Sequence, residues 1–346
     1  GMLSYRYASR WVGGMMAGAA CVFLIPYSAV QLMGIGYLLS GVSDGAIGFQ
    51  SGILIGAALA LIWTLAAGLR SVLWTDALQV VVMLVTSLIA VVFVIAALGG
   101  PLAFMETTAR DHGDWLAVPG PGLFSVVTFI GLTLPWFFFS ISNPQVSQRL
   151  FTTQSIGALR VMLLGFLLLG FVYTLVSVIW GFSALALLPD LESADMATPS
   201  LLASGAVPSV VAIILVVGIV AAAVSTVDSI LLSLASLAAR DVYAPLVTQG
   251  RGEMLAGKLV MLVVAVLAIL FARLQLDLIT ILSVASSAGL LVTVPAIVGA
   301  FFWTRGTAAG AMVSMVVAGV AVTYLQGAGA NPCLLYTSPR PRDRQE

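Results

Sequence analysis

Residues 207–237 read VPSVVAIILVVGIVAAAVSTVDSILLSLASL, and this stretch decides the fold. It is apolar or small throughout, apart from a few hydroxyls and one carboxylate, Asp228. A helix needs roughly 20 such residues to cross the hydrocarbon core of a bilayer. An acid inside a crossing is costly, so it faces the protein interior and has a task there. Ser225, Asp228, Ser229, Ser233 and Ser236 recur at three- and four-residue steps and share one helical face, with Thr226 beside them. Hydroxyls and a carboxylate supply hard oxygen donors of the kind that hold a small cation. The same stripe of small residues also lets helices approach closely. The carboxylate favours the cation, because close packing needs no charge.

The rest of the chain has the same character. Its 346 residues are 61% hydrophobic and 8% charged, where a soluble domain is about 25% charged. Mean hydropathy is +1.13. Too few polar side chains exist to coat a soluble fold. A formal net charge of +0 excludes a nucleic-acid binder. Cys21 and Cys333 are far apart and form no disulfide framework, and a lone His112 excludes metal sites built on histidine pairs. The pattern predicts nine crossings: Trp11–Leu39, Ile47–Leu69, Trp74–Leu98, Phe124–Ser142, Ile156–Leu187, Val207–Leu237, Leu255–Phe271, Leu276–Trp303 and Thr307–Leu325. The apolar runs are continuous rather than alternating, which excludes a transmembrane β-barrel.

Assigning alternate loops to opposite sides puts Arg6, Arg10, Arg70, Arg149, Arg160, Arg240, Arg251, Lys258 and Arg305 on one side. Arg110 and Arg273 fall on the other, together with Asp44, Glu106, Asp111, Asp114, Asp190, Glu192, Asp195 and Asp277. Nine basic residues against two is a positive-inside signal. Gly1 is therefore expected in the cytoplasm, and the protein in the plasma or inner membrane. Residues 1–332 form one transmembrane domain. The tail CLLYTSPRPRDRQE, residues 333–346, is polar, unlike the rest, and is expected to be non-native sequence.

Two other places carry chemistry. Asp76 lies two residues into its span, read either as an interior acid or as an interfacial one favoured by the helix dipole. In PWFFFSISNPQVSQR, Pro135 and Pro144 each remove an N–H, and the helix is expected to break between them. Broken helices in lipid survive where protein or a water-filled cavity covers the freed groups, which is how transporters build solute sites. Trp136 and Phe139 offer ring faces to a small solute, or alternatively to lipid at the interface. The GxxxxGK[ST] and HExxH patterns do not occur, so ATP-driven transport and metalloprotease chemistry are not expected, and the chain is not read as an enzyme.

The stretches GLRSVLWTDALQ, NPQVSQRLF and AAAVSTVDSILLSLASLAARDVY resemble, in order, three signatures of the sodium:solute symporter family. That family includes proline, pantothenate, glucose and sialic acid symporters. The resemblance covers residues 2 to about 325 and implies an all-α polytopic membrane protein with the leucine-transporter inverted-repeat fold. It begins at the position of core helix three, so the first two core helices are expected to be absent. The resemblance makes Val207–Leu237 core helix eight and implies sodium ligands at Ala222 (backbone carbonyl), Ser225 and Thr226. A candidate second cation site falls on Asp76, Asp228 and Ser229. The carboxylate at 228 departs from the sialic acid transporter pattern. Trp136 and Phe139 match positions that face sugar in sugar symporters. The expected activity is sodium-coupled symport of a small organic solute: an amino acid, carboxylate, vitamin or sugar. Sodium is the coupling ion, the bilayer the environment, and neither ATP nor nucleic acid a partner. The alternative is a channel or a non-transporting intramembrane subunit, for which no repeated filter motif is visible.

Overall fold

The computed structural model describes residues 2–117, 126–191, 193–244, 252–275 and 279–327. Phe124, Ser125 and Leu276 to Leu278 of the expected spans lie outside the described residues, as do Asp277, Arg251, Glu192 and the tail 333–346. Among the described residues every regular element is helical. Thirteen α-helices follow in order: α1 (Met2–Arg6), α2 (Arg10–Val42), α3 (Phe49–Ala97), α4 (Pro101–His112), α5 (Val126–Ser142), α6 (Pro144–Leu150), α7 (Ile156–Leu187), α8 (Ala197–Ala203), α9 (Ser209–Leu237), α10 (Glu253–Ala272), α11 (Ile279–Leu290), α12 (Val294–Phe302) and α13 (Ala308–Gly327).

Among the described residues, seven helical segments are long and apolar enough to cross a membrane, including Phe49–Ala66, Leu73–Ala97 and Leu282–Phe302. The expected spans Phe124–Ser142 and Thr307–Leu325 correspond to α5 and α13. The sequence places a loop between the second and third spans, but α3 runs without interruption over 49 residues. Its two halves nevertheless return to the same place. Gly52 packs on Gly36 of α2, while Val94 shares a buried cluster with Leu38, two residues further along α2. A straight helix would separate positions 52 and 94 by about 60 Å. The two parts of α3, Phe49–Ala66 and Leu73–Ala97, are therefore separate apolar segments, each long enough to cross.

Helices α2, α3 and α9 form the centre. Leu24, Leu32 and Ile35 of α2 pack with Ile53 of α3 and Ile230 and Leu234 of α9, all fully buried. Small residues bring the first two together. A Cβ on Gly52 would sit 2.8 Å from the Gly36 Cα, and one on Gly56 would sit 2.6 Å from the Ile35 side chain. Glycines four residues apart give α3 a flat face, the usual means of close approach in membranes. On the outside, α7 exposes Leu163, Leu164, Phe166, Leu167 and Leu168. In a bilayer this is a lipid-facing surface, since no polar backbone group of a helix is left unpaired there.

The eighth expected crossing is interrupted. Leu291–Thr293 tightens into a 3-10 turn between α11 and α12, and Pro295 starts α12. α9 continues through a π-helical segment to Tyr243. The N-terminal segment clamps the end of α12: Arg6 donates to the Ala300 and Trp303 carbonyls at 3.0 and 2.7 Å, and the Tyr7 hydroxyl donates to the Ala296 carbonyl at 2.8 Å. Of these carbonyls, that of Ala300 belongs to the last turn, which the helix end leaves without an intrahelical partner.

The aromatic helix breaks between Pro135 and Pro144, immediately before the second. α5 is helical through Pro135, and the break expected between Pro135 and Pro144 falls at the far end of that interval. The interruption comes at Asn143, whose extended backbone leads into Pro144 at the start of α6. Asn143 accepts a 3.1 Å bond from the Gln145 N–H, a cap that α6 needs and that the proline at its first position favours.

Candidate functional site

The polar face of α9 runs from one cavity to another. At its upper end the Ser225 and Thr226 hydroxyls both donate to the Ala222 carbonyl, at 3.1 Å each. Three oxygens, one carbonyl and two hydroxyls, thus lie together within one helical turn. Thr226 and Ala222 line a cavity of ≈ 550 Å³ whose other walls include Gln31, Tyr37, Trp136, Asp195 and Ser283. This volume suits a small organic molecule. Trp136, 43% exposed, presents its ring there. Phe139 sits behind it, 5.0 Å from the Trp136 ring and 6.1 Å from that of Tyr27, packed against the central core. The structure therefore places Trp136 in the cavity wall and Phe139 in its support.

One turn below, α9 meets α3 and α6. Arg149 of α6 donates through Nη2 to Asp76 Oδ2 and to Ser229 Oγ, each at 2.7 Å. The Ser229 hydroxyl lies 3.3 Å from Asp228 Oδ1. Asp228 is 1% exposed. The other Asp76 oxygen, Oδ1, is buried without a hydrogen-bond partner. Asp76, Asp228 and Ser229 are thus neighbours, and Asp76 is an interior residue rather than an interfacial one. The cation among them is a guanidinium.

Further along α9 the Ser233 hydroxyl donates to Gln148 Oε1 at 3.2 Å. Ser236 then enters a second cavity of ≈ 520 Å³, bounded by α1, α2, α6 and the π-helical segment, with Gln148, Arg240 and Asp241 in its walls. Positions 226 and 236 are about 15 Å apart along a helix. The Arg149 cluster fills the interval between the two cavities.

Arg149 and Asp195 are site residues that sequence reasoning counted only as loop charges. The signal for Arg149 was its place six residues after the helix break at Asn143, in the last turn of α6. Asp195 accepts from the Ile279 N–H at 3.2 and 3.3 Å, which caps the start of α11 while its residue borders the first cavity. Nothing in local spacing links a residue at 195 to one at 279.

A helical bundle with two cavities on opposite sides of a buried polar cluster, one of them beside an interrupted helix, has the architecture of a secondary transporter. The chain belongs to the sodium:solute symporter family, whose family model matches residues 1–318. It is similar to a sodium/pantothenate symporter of Haemophilus influenzae, 25% identical over 322 residues, and to the uncharacterized symporter YodF of Bacillus subtilis, 24% identical over 332 residues. These alignments take in 90% and 92% of this chain and 65% of each relative's length. The chain thus spans just under two thirds of those relatives. Its backbone resembles that of a Na+-coupled sialic acid symporter in a substrate-bound outward-open state, with a TM-score of 0.67 and 18% identity over 93% of this chain and 77% of that one. The likeness fixes the fold as that of the leucine-transporter class.

Proposed function

We propose that the protein is a sodium-coupled symporter of a small organic solute, embedded in the cell membrane with Gly1 on the cytoplasmic side. The observation that carries this reading is the grouping of the Ser225 and Thr226 hydroxyls on the Ala222 carbonyl, with Ala222 and Thr226 in the wall of a solute-sized cavity. Sodium binds at those oxygens, with the hydroxyls turning their O–H groups away from the Ala222 carbonyl so that all three oxygens offer lone pairs to the ion. The solute binds beside it against Trp136. Both partners then stabilise the same conformation, so each raises the affinity of the other. Alternating access exchanges the cavity beside α8 for the one beside α1, by rocking helices across the Arg149 cluster. The membership in the family and the names of its relatives support a solute such as a vitamin or a sugar acid. No covalent chemistry is involved.

The test is uptake into liposomes containing the reconstituted protein, under an inward sodium gradient, with a panel of amino acids, carboxylates, vitamins and sugars. Sodium-dependent uptake that saturates with one of them is the expected result. Flux that is independent of sodium and linear in solute would instead identify a channel.

A further inference from the structure

One face of α12 is open. Pro295, Val298, Gly299 and Phe302 recur at three- and four-residue steps and form a stripe over about 10 Å of helix. Ala296 and Ile297, on the other side, are buried in a cluster with Leu3 and Tyr7. With Trp303, Thr304 and Arg305 the open stripe lines a groove of ≈ 340 Å³. We propose that this groove binds one anionic phospholipid, with an acyl chain along Pro295, Val298 and Phe302 and the phosphate at Arg305. The site shares no residue with the sodium and solute sites. It requires only that the chain spans a bilayer.

Depth in the membrane carries the first half of the argument. The apolar segment Leu282–Phe302, long enough to cross, ends at Phe302. Pro295 and Val298 therefore lie at hydrocarbon depth, and Arg305, three residues past the end, lies at the level of the headgroups. Trp303 is exposed at that boundary, where tryptophan side chains gather in membrane proteins. The groove is apolar at one end and cationic at the other, and it runs across the boundary. A lipid has that shape. A free anion would leave the apolar length empty, and a soluble peptide does not lie at hydrocarbon depth.

Charge carries the second half. The segments that build this corner, residues 1–43 and 279–327, contain no acidic residue but hold Arg6, Arg10 and Arg305. Arg6 donates to the Ala300 and Trp303 carbonyls and offsets the negative end of α12. Arg10 lies over the Trp11 ring. Arg305 is exposed, and among the described residues it enters no ion pair. An anionic headgroup meets that charge. A zwitterionic one also brings a cation, for which these segments offer no carboxylate.

Native mass spectrometry and thermal unfolding of the purified protein in non-ionic detergent test this, with dioleoylphosphatidylglycerol and dioleoylphosphatidylcholine added in turn. The unaltered protein is expected to retain one phosphatidylglycerol per chain, about fivefold or more tightly than phosphatidylcholine, the effect of one basic residue at a charged surface. Its melting temperature should rise with phosphatidylglycerol alone. Arg305→Gln should remove the preference and Arg305→Lys should keep it. Val298→Trp fills the groove without altering the charge and should also weaken retention of phosphatidylglycerol. Equal retention of the two lipids by the unaltered protein would overturn the proposal, whether or not the variants fold. A preference unchanged in Arg305→Gln would do the same. Stabilisation by inorganic phosphate equal to that by phosphatidylglycerol would make this a free-anion site, and dimers lost in Val298→Trp would make it an interface between copies; either result overturns the lipid assignment.

Discussion

Arg149 Nη2 lies 2.7 Å from Asp76 Oδ2, although 73 positions of sequence separate the two residues. The pair joins α6 to α3 in the middle of the bundle. Its carboxylate side chain is 13% exposed and its arginine side chain 36% exposed. The contact is thus neither a surface ion pair nor a fully desolvated one.

Removing one partner leaves the other charge in a poorly solvated place. Asp76→Asn is expected to cost about 2 kcal/mol, below the range for a fully buried pair because Arg149 retains some access to solvent. The measurement is thermal unfolding of the purified protein in detergent. Asp76→Glu should recover most of the loss, and an Asp76→Asn variant as stable as the parent would show that the pair contributes nothing.

Ser225→Ala and Thr226→Ala each remove one oxygen from the group around the Ala222 carbonyl. Each is expected to weaken sodium binding by about 1–3 kcal/mol, from roughly fivefold to over a hundredfold in half-saturating concentration. Folding should be little affected, because the lost intrahelical bonds leave only a carbonyl already served by its own helix. Sodium titrations followed by protein fluorescence would read the shift, and unchanged titrations in both variants would move the site elsewhere.

Trp136 and Phe139 should separate by what they lose. Trp136→Ala opens the cavity wall and is expected to weaken solute binding about tenfold or more, with sodium binding retained. Phe139→Ala leaves a void between Tyr27 and Trp136 and is expected to cost about 3 kcal/mol of stability, with a smaller effect on solute. A solute-binding isotherm and a melting curve for each variant decide the matter. Equal effects on both readouts would count against the assignment of wall and support.

Gly52→Ala brings a methyl carbon within 2.8 Å of the Gly36 Cα, where only backbone is available to move. The expected loss is about 1–3 kcal/mol, as for other overpacked positions. Gly14→Ala, with nothing within 4 Å of the added carbon, should leave stability unchanged and serves as the comparison. Melting temperatures of the two variants give the answer.

Much of this was legible in the chain itself. The long apolar runs marked the crossings, because a bilayer demands both length and hydrophobicity. The three- and four-residue spacing on α9 placed Ser225, Asp228, Ser229 and Ser233 on one face, because a single helix fixes that geometry locally. The fold class followed from three motifs in order. The two prolines bracketed the break but did not say where between them it falls, since a proline within a helix does not always break it. Here the capping side chain at Asn143 and the proline that follows it set the interruption instead.

The sequence by itself determined that this is a helical membrane protein of the sodium:solute symporter family, and it determined which residues share a helical face. Only the tertiary structure decided which faces meet. Gly52 and Gly56 bring α3 against α2, and Asp76, further along α3, meets Arg149 of α6. That arrangement turned Arg149 from a loop charge into the cation at the centre, and it put Trp136 at the cavity with Phe139 behind it. The physical reason is that periodicity is a property of one helix, whereas a site assembled from several helices depends on how their surfaces pack. Packing is settled by shape and buried charge over the whole bundle at once.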